Sequence, residues 1–464
     1  MSAFCPVYPK PRKSKTPVWK AFFSARHSWL DALYERSYAM HMGQVSLINS
    51  TLFMVNEPAC VNRVLSDQVD NYPKHALMGE ALKPLLGESI FTTNGAQWQR
   101  QRKMMNPSFA QARIQVAFDH MQRATDAMLQ RIASWDMATH HDIQEEMTLV
   151  TADVIFRTIF SMGINTQQAK PIFSAFTEYQ ALSPRLTLPL VYGLKWLVPF
   201  WLRRRSNRAA QDIRQHLAAM IAPRFDAHAA TASAPASDIL GSLLQATDPD
   251  TGAHFTRDEL LNQVAMLFLA GHETSASALS WALHLLAHSP DIQERMHLEV
   301  QRVAGAAPLQ AHQLKDLELT WNVFKESLRL FPPVGFFARE VTEGDTMRDK
   351  VLKKGDSVVI SPWLIHRHRT LWDRPDEFDP DRFTTTAGRA SAREAYLPFS
   401  SGPRVCIGVA FAHQEAALIL ASLVRTYQFT PMPNHTPQPI GRLTIRSANG
   451  IYIQLTPRTR AALP

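Results

Sequence analysis

From Thr256 to the Ser289-Pro290 pair the chain runs without a helix breaker. Thr256 and Glu259 have the spacing of a capping box, in which each side chain satisfies the other residue's backbone N–H. The spacing therefore predicts one helix of about 48 Å at 1.5 Å per residue, against an average helix of about 11–12 residues. A helix of that length crosses a whole domain, and the rest of the chain must pack around it. Its middle reads Ala270-Gly271-His272-Glu273-Thr274-Ser275, with a glycine and two hydroxyls where Leu and Ala are favoured. Either the glycine permits close helix packing, or a local rule is broken for function. A zinc-protease reading of His272-Glu273 fails, because Ala276 stands where the second His would be needed.

Around this element, residues 76–330 read as overwhelmingly helical, interrupted by a small-residue loop at His228–Ser237. Strand signals flank that region. Val45–Ile48 and Leu52–Val55 bracket Asn49-Ser50 as one hairpin. Val351–Ile360 about Lys354-Gly355, and Leu443–Leu455 about Asn449-Gly450, read as two more. The fold class is mainly α with a small β subdomain, expected as a single domain over 1–464. Residues 1–40 are expected to be an N-terminal extension and 41–455 the catalytic body.

With 45% apolar and 19% charged residues, the chain can bury a sizeable core and is not a disordered one. The net charge is +8, but the bases are dispersed apart from Lys10–Lys15 and Arg203–Arg205. No aromatic-interleaved basic stripe or binding module points to nucleic acid. Cys5, Cys60 and Cys406 are too few for a disulfide framework, so a reducing, cytoplasmic setting is expected for a soluble protein. The N-terminus carries no stretch that reads as a signal peptide or anchor. Leu186–Leu202 is strongly apolar but is broken by Pro189, Lys195 and Pro199.

The most specific signal is Phe399-Ser-Ser-Gly402-Pro-Arg404-Val-Cys406-Ile-Gly408. A lone Cys in a glycine-bracketed loop runs into the apolar helix Val409–Arg425. Orphan N–H groups and the dipole at such a helix start favour a thiolate. Gly402 and Gly408 let the backbone turn and approach a flat ligand, and Arg404 can serve an anionic group at its edge. No Cys or His lies at zinc-finger spacing. A single thiolate beneath a macrocycle is the haem–thiolate arrangement.

On these residues the sequence resembles the cytochrome P450 family, over nearly its whole length and with further motifs in order. Trp98-x-x-x-Arg102 is similar to the motif on a helix facing the haem propionates. Ala270-Gly271-x-Glu273-Thr274 is similar to the oxygen-activation motif. Glu326-Ser-Leu-Arg329 matches the Glu-x-x-Arg pair, and Phe378-Asp-Pro380-Asp-Arg382-Phe383 supplies a second Arg. A buried charge triad of Glu326, Arg329 and Arg382 is costly unless every hydrogen bond is met; its role is structural. Arg339, after the Pro332-Pro333 stop, aligns with another propionate partner.

The resemblance implies a P450 fold with the long central helix over haem b and Cys406 as axial thiolate. It implies monooxygenation of a hydrophobic substrate by O₂. Thr274 would hydrogen-bond oxygen and an ordered water, and Glu273 would relay protons from solvent. Without a dinucleotide fingerprint, enough cysteines for an iron–sulfur domain or room for a flavin domain beyond residue 455, electrons are expected from a separate ferredoxin or flavodoxin with its NAD(P)H reductase. Such a partner would be acidic and would dock on outward bases such as Arg100 and Lys103. Leu186–Leu202 followed by Arg203-Arg204-Arg205 implies contact with membrane or lipid, or else packing beneath the active-site roof. A fatty acid, alkane or terpenoid is then the expected substrate. A peroxygenase, isomerase or dehydratase on the same fold, or a non-catalytic haem binder, are the competing readings.

Overall fold

A computed structural model describes residues 4–14, 28–46, 50–167, 169, 171–176, 178–179, 182, 199–230 and 236–458. Its principal helices are α1 (Ala76–Leu86), α2 (Gly95–Met105), α3 (Gln111–Ala133), α4 (Ile143–Phe160), α5 (Phe200–Ala230), α6 (Arg257–Ala287), α7 (Pro290–Ala304), α8 (Glu318–Leu330) and α9 (Val409–Thr426). The strands are β1 (Met42–Ser46), β2 (Thr51–Val55), β3 (His141–Asp142), β4 (Phe337–Glu340), β5 (Asp345–Met347), β6 (Lys350–Leu352), β7 (Ser357–Ile360), β8 (Tyr427–Pro431), β9 (Pro439–Gly441), β10 (Ile445–Ser447) and β11 (Tyr452–Pro457).

α6 is the predicted long helix. Thr256 caps it, its hydroxyl accepting from the Glu259 N–H while Glu259 accepts from the Thr256 N–H. Nearly every side chain from Leu260 to Ala287 is buried, so this helix is an axle covered on all sides and not a one-sided surface element. α4 lies along it, and α1, α5, α8 and α9 also pack on it. Trp281 stacks on Phe331 at 4.0 Å between ring centres and gives its indole N–H to the Ile445 carbonyl.

The first hairpin forms as expected, with Ser46 opposite Thr51; the Asn49 side of its turn lies outside the described residues. The other two expected hairpins do not form. Gly355 and Gly450 do turn the chain, at φ +86° and +79°, but the strands on either side go to different sheets. β6 pairs with β5, whereas β7 runs parallel to β2 and antiparallel to β4. β10 pairs with β9, whereas β11 lies between β3 and β8. A turn dipeptide fixes a local reversal and not the identity of the neighbour. Every residue of β7, Ser-Val-Val-Ile, is buried, as suits a central strand covered on both faces.

The expected charge triad is complete. Glu326 accepts from Arg329 Nε and Nη2, both at 2.8 Å, from Arg382 Nε at 3.0 Å and from the Asp379 N–H at 3.1 Å. The remaining guanidinium nitrogens find carbonyls: Arg329 reaches His366, Pro375 and Glu377, and Arg382 reaches Asp373, Arg374 and Glu377. Burial pushes the Glu326 carboxyl up, but the Arg329 charge and its hydrogen bonds, aided by Arg382 and Asp379, hold it below the usual carboxylate range. Removing one member leaves uncompensated buried charge, a loss of about 3–5 kcal/mol. Glu326→Ala should therefore unfold at much lower urea than the parent, and Glu326→Asp at an intermediate concentration. Equal midpoints for Glu326→Ala and the parent would contradict this assignment.

Candidate active site

Along the buried run Leu260–Ala287, only Ala270, Gly271 and Thr274 are half-exposed. They share one face, since Ala270 and Thr274 are four residues apart. Accessible surface in the middle of an enclosed helix must line an interior hollow. Cys406 behaves likewise: its side chain is accessible, yet protein surrounds the sulfur closely enough for burial to push its thiol pKa up. The Gly408 N–H and Arg102 act in the opposite direction but do not outweigh burial. The helix start that favours a thiolate in the sequence is thus outweighed by burial at this sulfur.

The Cys406 loop is held tightly. The Cys406 N–H donates to the Phe399 carbonyl at 3.0 Å, and Arg102 Nη1 donates to the Val405 carbonyl at 2.8 Å. Gly402 adopts φ +69°, and a Cβ there would stand 2.1 Å from the Leu65 carbonyl oxygen. Its close approach is therefore to the backbone beneath the loop. Gly408 has only the Cys406 sulfur nearby, 3.9 Å from where a Cβ would be. Gly271 turns its bare side to α4, where a Cβ would meet Ile155 Cδ1 at 2.4 Å. The packing reading of that glycine is the one the geometry carries.

Four cations crowd beside this loop. Arg102, Arg339 and Arg404 were expected; Lys74 was not. Lys74 is placed by a backbone bridge to Arg339, and its ammonium gives a hydrogen bond to the Ile90 carbonyl at 2.5 Å. Burial, reinforced by Arg404, Arg339 and Arg102, lowers its pKa to about 7. Burial and then Arg404 lower Arg339 to about 10. Arg404 donates to the Val69 and Tyr72 carbonyls, while its Nε and that of Arg339 are buried without a partner. The Trp98 ring lies 5.6 Å from the Arg404 guanidinium carbon and 5.8 Å from the Lys74 nitrogen. Like charges held together with orphaned N–H groups fit a ligand bearing carboxylates, and the thiol fits its metal.

Glu273 and Thr274 are not hydrogen-bonded to each other. The Thr274 hydroxyl donates back to the Ala270 carbonyl at 2.7 Å. Glu273 is buried; its Oε1 accepts from the Thr444 hydroxyl at 2.8 Å and lies 4.0 Å from Arg446 Nε. Neither Thr444 nor Arg446 carries a sequence signal, because each meets α6 from more than 170 residues away. Ser275 donates to Glu415 at 2.6 Å, tying α6 to α9, and burial pushes the Glu415 carboxyl up to about 8. His272 points away into a ring cage of Phe173, Phe176 and Phe268, and burial lowers it to about 3.

The expected docking bases are already neutralised. Arg100 pairs with Asp248 at 3.2 Å and Glu259 at 2.6 Å, and Lys103 pairs with Asp250 at 2.8 Å. The Asp248–Gly252 turn before α6 folds against α2, a contact that spacing could not reveal. These two residues do not provide free positive charge for an acidic partner.

A thiol loop, a carboxylate-binding cation cluster and a half-open, hydroxyl-bearing long helix together define a haem–thiolate protein. The sequence profile described as cytochrome P450 matches residues 13–454, and the chain belongs to that family. Cyclooctatin synthase of Streptomyces melanosporofaciens is 34% identical over 79% of this chain and 78% of that protein. A cytokinin hydroxylase of Arabidopsis thaliana is 33% identical over 83% and 74%. The crystal structure of the cytochrome P450DA heme domain shares the fold, with a TM-score of 0.80 at 22% identity over 90% of each chain. The cofactor is haem, ligated by a cysteine thiolate, and the protein is a P450 oxidoreductase.

Cys406→Ser should abolish the red-shifted Soret band of the reduced carbon monoxide complex and lose most haem. Cys5→Ser and Cys60→Ser should leave the spectrum unchanged. A thiolate-type band surviving in Cys406→Ser would refute the ligand.

Proposed function

We propose that this protein inserts one oxygen atom of O₂ into a largely hydrocarbon substrate, with Glu273 and Thr274 delivering the protons. The carrying observation is the half-exposed patch Ala270, Gly271 and Thr274 on an otherwise enclosed helix, which sets one hydroxyl on the inner face. Haem b, when bound, supplies the activation of O₂ with two electrons. Cys406 would ligate its iron through the thiolate, and the Trp98, Arg102, Arg339 and Arg404 cluster, joined by Lys74, would hold its carboxylates. Phe399, Gly402 and Gly408 shape the loop that presents Cys406.

Within that site Thr274 does two things. Its hydroxyl can leave the Ala270 carbonyl to donate inward, and it accepts protons in return. Glu273, a carboxylate, takes protons from water and passes them on, a general-acid task. The family uses redox partners; here the electrons are assigned to a separate ferredoxin or flavodoxin with its NAD(P)H reductase, and the setting is cytoplasmic.

The substrate class follows from one surface feature. Phe200 is 76% and Trp201 is 61% exposed, at the start of α5 and just before Arg203-Arg204-Arg205. Arg205 pairs with Glu178 at 2.8 Å. The preceding residues 183–198, Trp196 among them, lie outside the described residues. Among the described residues no helix is long and apolar enough to cross a membrane. Exposed aromatics beside bases suit a monolayer contact with anionic lipid, from which a fatty acid, alkane or terpenoid-like substrate would be drawn.

Two measurements test these readings. Thr274→Ala should keep haem and substrate binding, while product formed per NAD(P)H falls by roughly ten-fold or more as peroxide rises; unchanged coupling would remove Thr274 from proton delivery. Phe200→Ser with Trp201→Ser should weaken binding to anionic liposomes and to lipophilic ligands with the haem spectrum intact. Liposome and ligand binding equal to the parent would remove the lipid reading.

A further inference from the structure

Trp29 belongs to the stretch 1–40 that the sequence sets apart as an N-terminal extension, yet its indole is gripped inside the fold. A Cβ added to Gly335 would stand 2.2 Å from Trp29 Cζ2, and one added to Gly441 would stand 2.4 Å from Trp29 Nε1 and Cε2. The two glycines lie more than a hundred residues apart, and one ring fills the side that each leaves bare. Neither has a positive φ, and Gly441 ends strand β9, so backbone conformation does not call for glycine at either place. Glycine in a strand marks a close approach by another group; here that group is the indole. Phe336 meets the same ring nearly at right angles, 5.3 Å between ring centres. The Gly441 N–H donates to the buried Ser28 hydroxyl at 2.9 Å.

Both gripped segments border the candidate site. Beyond Gly441 the hairpin turns, Thr444 donates to Glu273, and the Ile445 carbonyl accepts from Ser277 and Trp281 of α6 at 2.6 and 3.0 Å. Before Gly335, the Pro333 carbonyl accepts from the Ile445 N–H at 3.0 Å. After it, β4 carries Arg339 into the cation cluster. The two segments therefore run between the half-open face of α6 and that cluster. Val334 and Leu443, carried on them, are apolar and half-buried.

We infer that Trp29 is a positioning residue of the substrate pocket, a wedge that sets how far the Pro333–Phe336 loop and the β9–β10 hairpin stand into the hollow beside Thr274. The inference rests on the reading of that hollow as the place where a largely hydrocarbon substrate binds. Each segment is tethered elsewhere: Ile445 to α6, and the Gly335 carbonyl to the Ser361 hydroxyl at 2.9 Å. What stays adjustable is the position of the backbone at the two glycines, and there the thickness of the ring decides. An indole is large and rigid, and close-packed interiors transmit such a thickness with little give. With the ring removed, the neighbours move part of the way into the space it leaves, which draws the wall away from the hollow. The wedge thereby selects by bulk. An apolar group long enough to touch the wall senses its position, and a ligand too small to reach it does not.

The test titrates the haem-loaded ferric protein with imidazole and with 4-phenylimidazole, following the Soret shift as the azole nitrogen ligates the iron. Both probes use the same nitrogen, and only the second carries a phenyl ring towards the wall, so the ratio of their Kd values reports where the wall stands. The parent, Trp29→Ala, Gly441→Ala and the double variant are compared, with the carbon monoxide spectrum and the thermal midpoint as checks on the fold. Trp29→Ala should raise the Kd of 4-phenylimidazole several-fold while that of imidazole stays parental. Gly441→Ala drives a methyl against the indole and should also change the ratio several-fold. Added to Trp29→Ala, where the methyl meets no ring, it should change nothing further. Should Trp29→Ala fail to load haem, Trp29→Leu takes its place in both comparisons. A parental ratio in Trp29→Ala, or equal weakening of both azoles, refutes the wedge. So does a Gly441→Ala effect of the same size with and without the indole. If the parent binds imidazole but excludes 4-phenylimidazole, the reading of the hollow as an apolar pocket falls, and the inference with it.

Discussion

A helix buried on every side has no water to satisfy its polar side chains, and the architecture follows from how α6 meets that constraint. Glu273, Ser277 and Trp281 recur at four-residue intervals, so one stripe of the helix is polar and must find partners. The Thr444–Ile445 segment supplies them. On another side Ser275 reaches Glu415 of α9, which ties the long helix to the helix that follows the Cys406 loop. The same hydrogen bonds that make burial tolerable therefore set the register between the two elements carrying Thr274 and Cys406.

The second constraint is charge. Lys74, Arg102, Arg339 and Arg404 are brought within mutual influence, and burial lowers each of them from its ordinary value. The triad around Glu326 also buries cations, but there the carboxylate and a ring of carbonyls satisfy them. The contrast separates a structural cluster from a binding one. In the first every guanidinium nitrogen has a partner inside the protein; in the second, the Nε atoms of Arg339 and Arg404 are without one.

Much of the site was legible in the sequence because its motifs are local. Five residues carry Trp98 and Arg102 on one helical face, four carry Glu326 and Arg329, and ten carry the Cys406 loop. What was misread had a long-range cause. Arg100 and Lys103 read as free surface bases until the Asp248–Gly252 turn folded over them. Gly402 read as an opening for a flat ligand, whereas its bare side faces the Leu65 carbonyl; of the two readings of Gly271, packing is the one that Ile155 against its bare side supports. Lys74 was missed altogether, since nothing in Tyr72-Pro73-Lys74-His75 distinguishes it from a solvated lysine before Arg339 is laid beside it.

The sequence by itself determined where the longest helix starts and stops, which cysteine stands in a glycine-bracketed loop before a helix, and which hydroxyl and carboxylate interrupt that longest helix. These depend on spacings of a few residues, where steric and hydrogen-bonding rules act directly along the chain. Only the tertiary structure decided which strands are neighbours, which cations keep an unmet charge, and that Glu273 faces Thr444 and Arg446 and not Thr274. Those outcomes depend on burial and on partners more than a hundred residues away, and neither the electrostatic weight of a charge nor the register of a strand exists until the chain has closed around it.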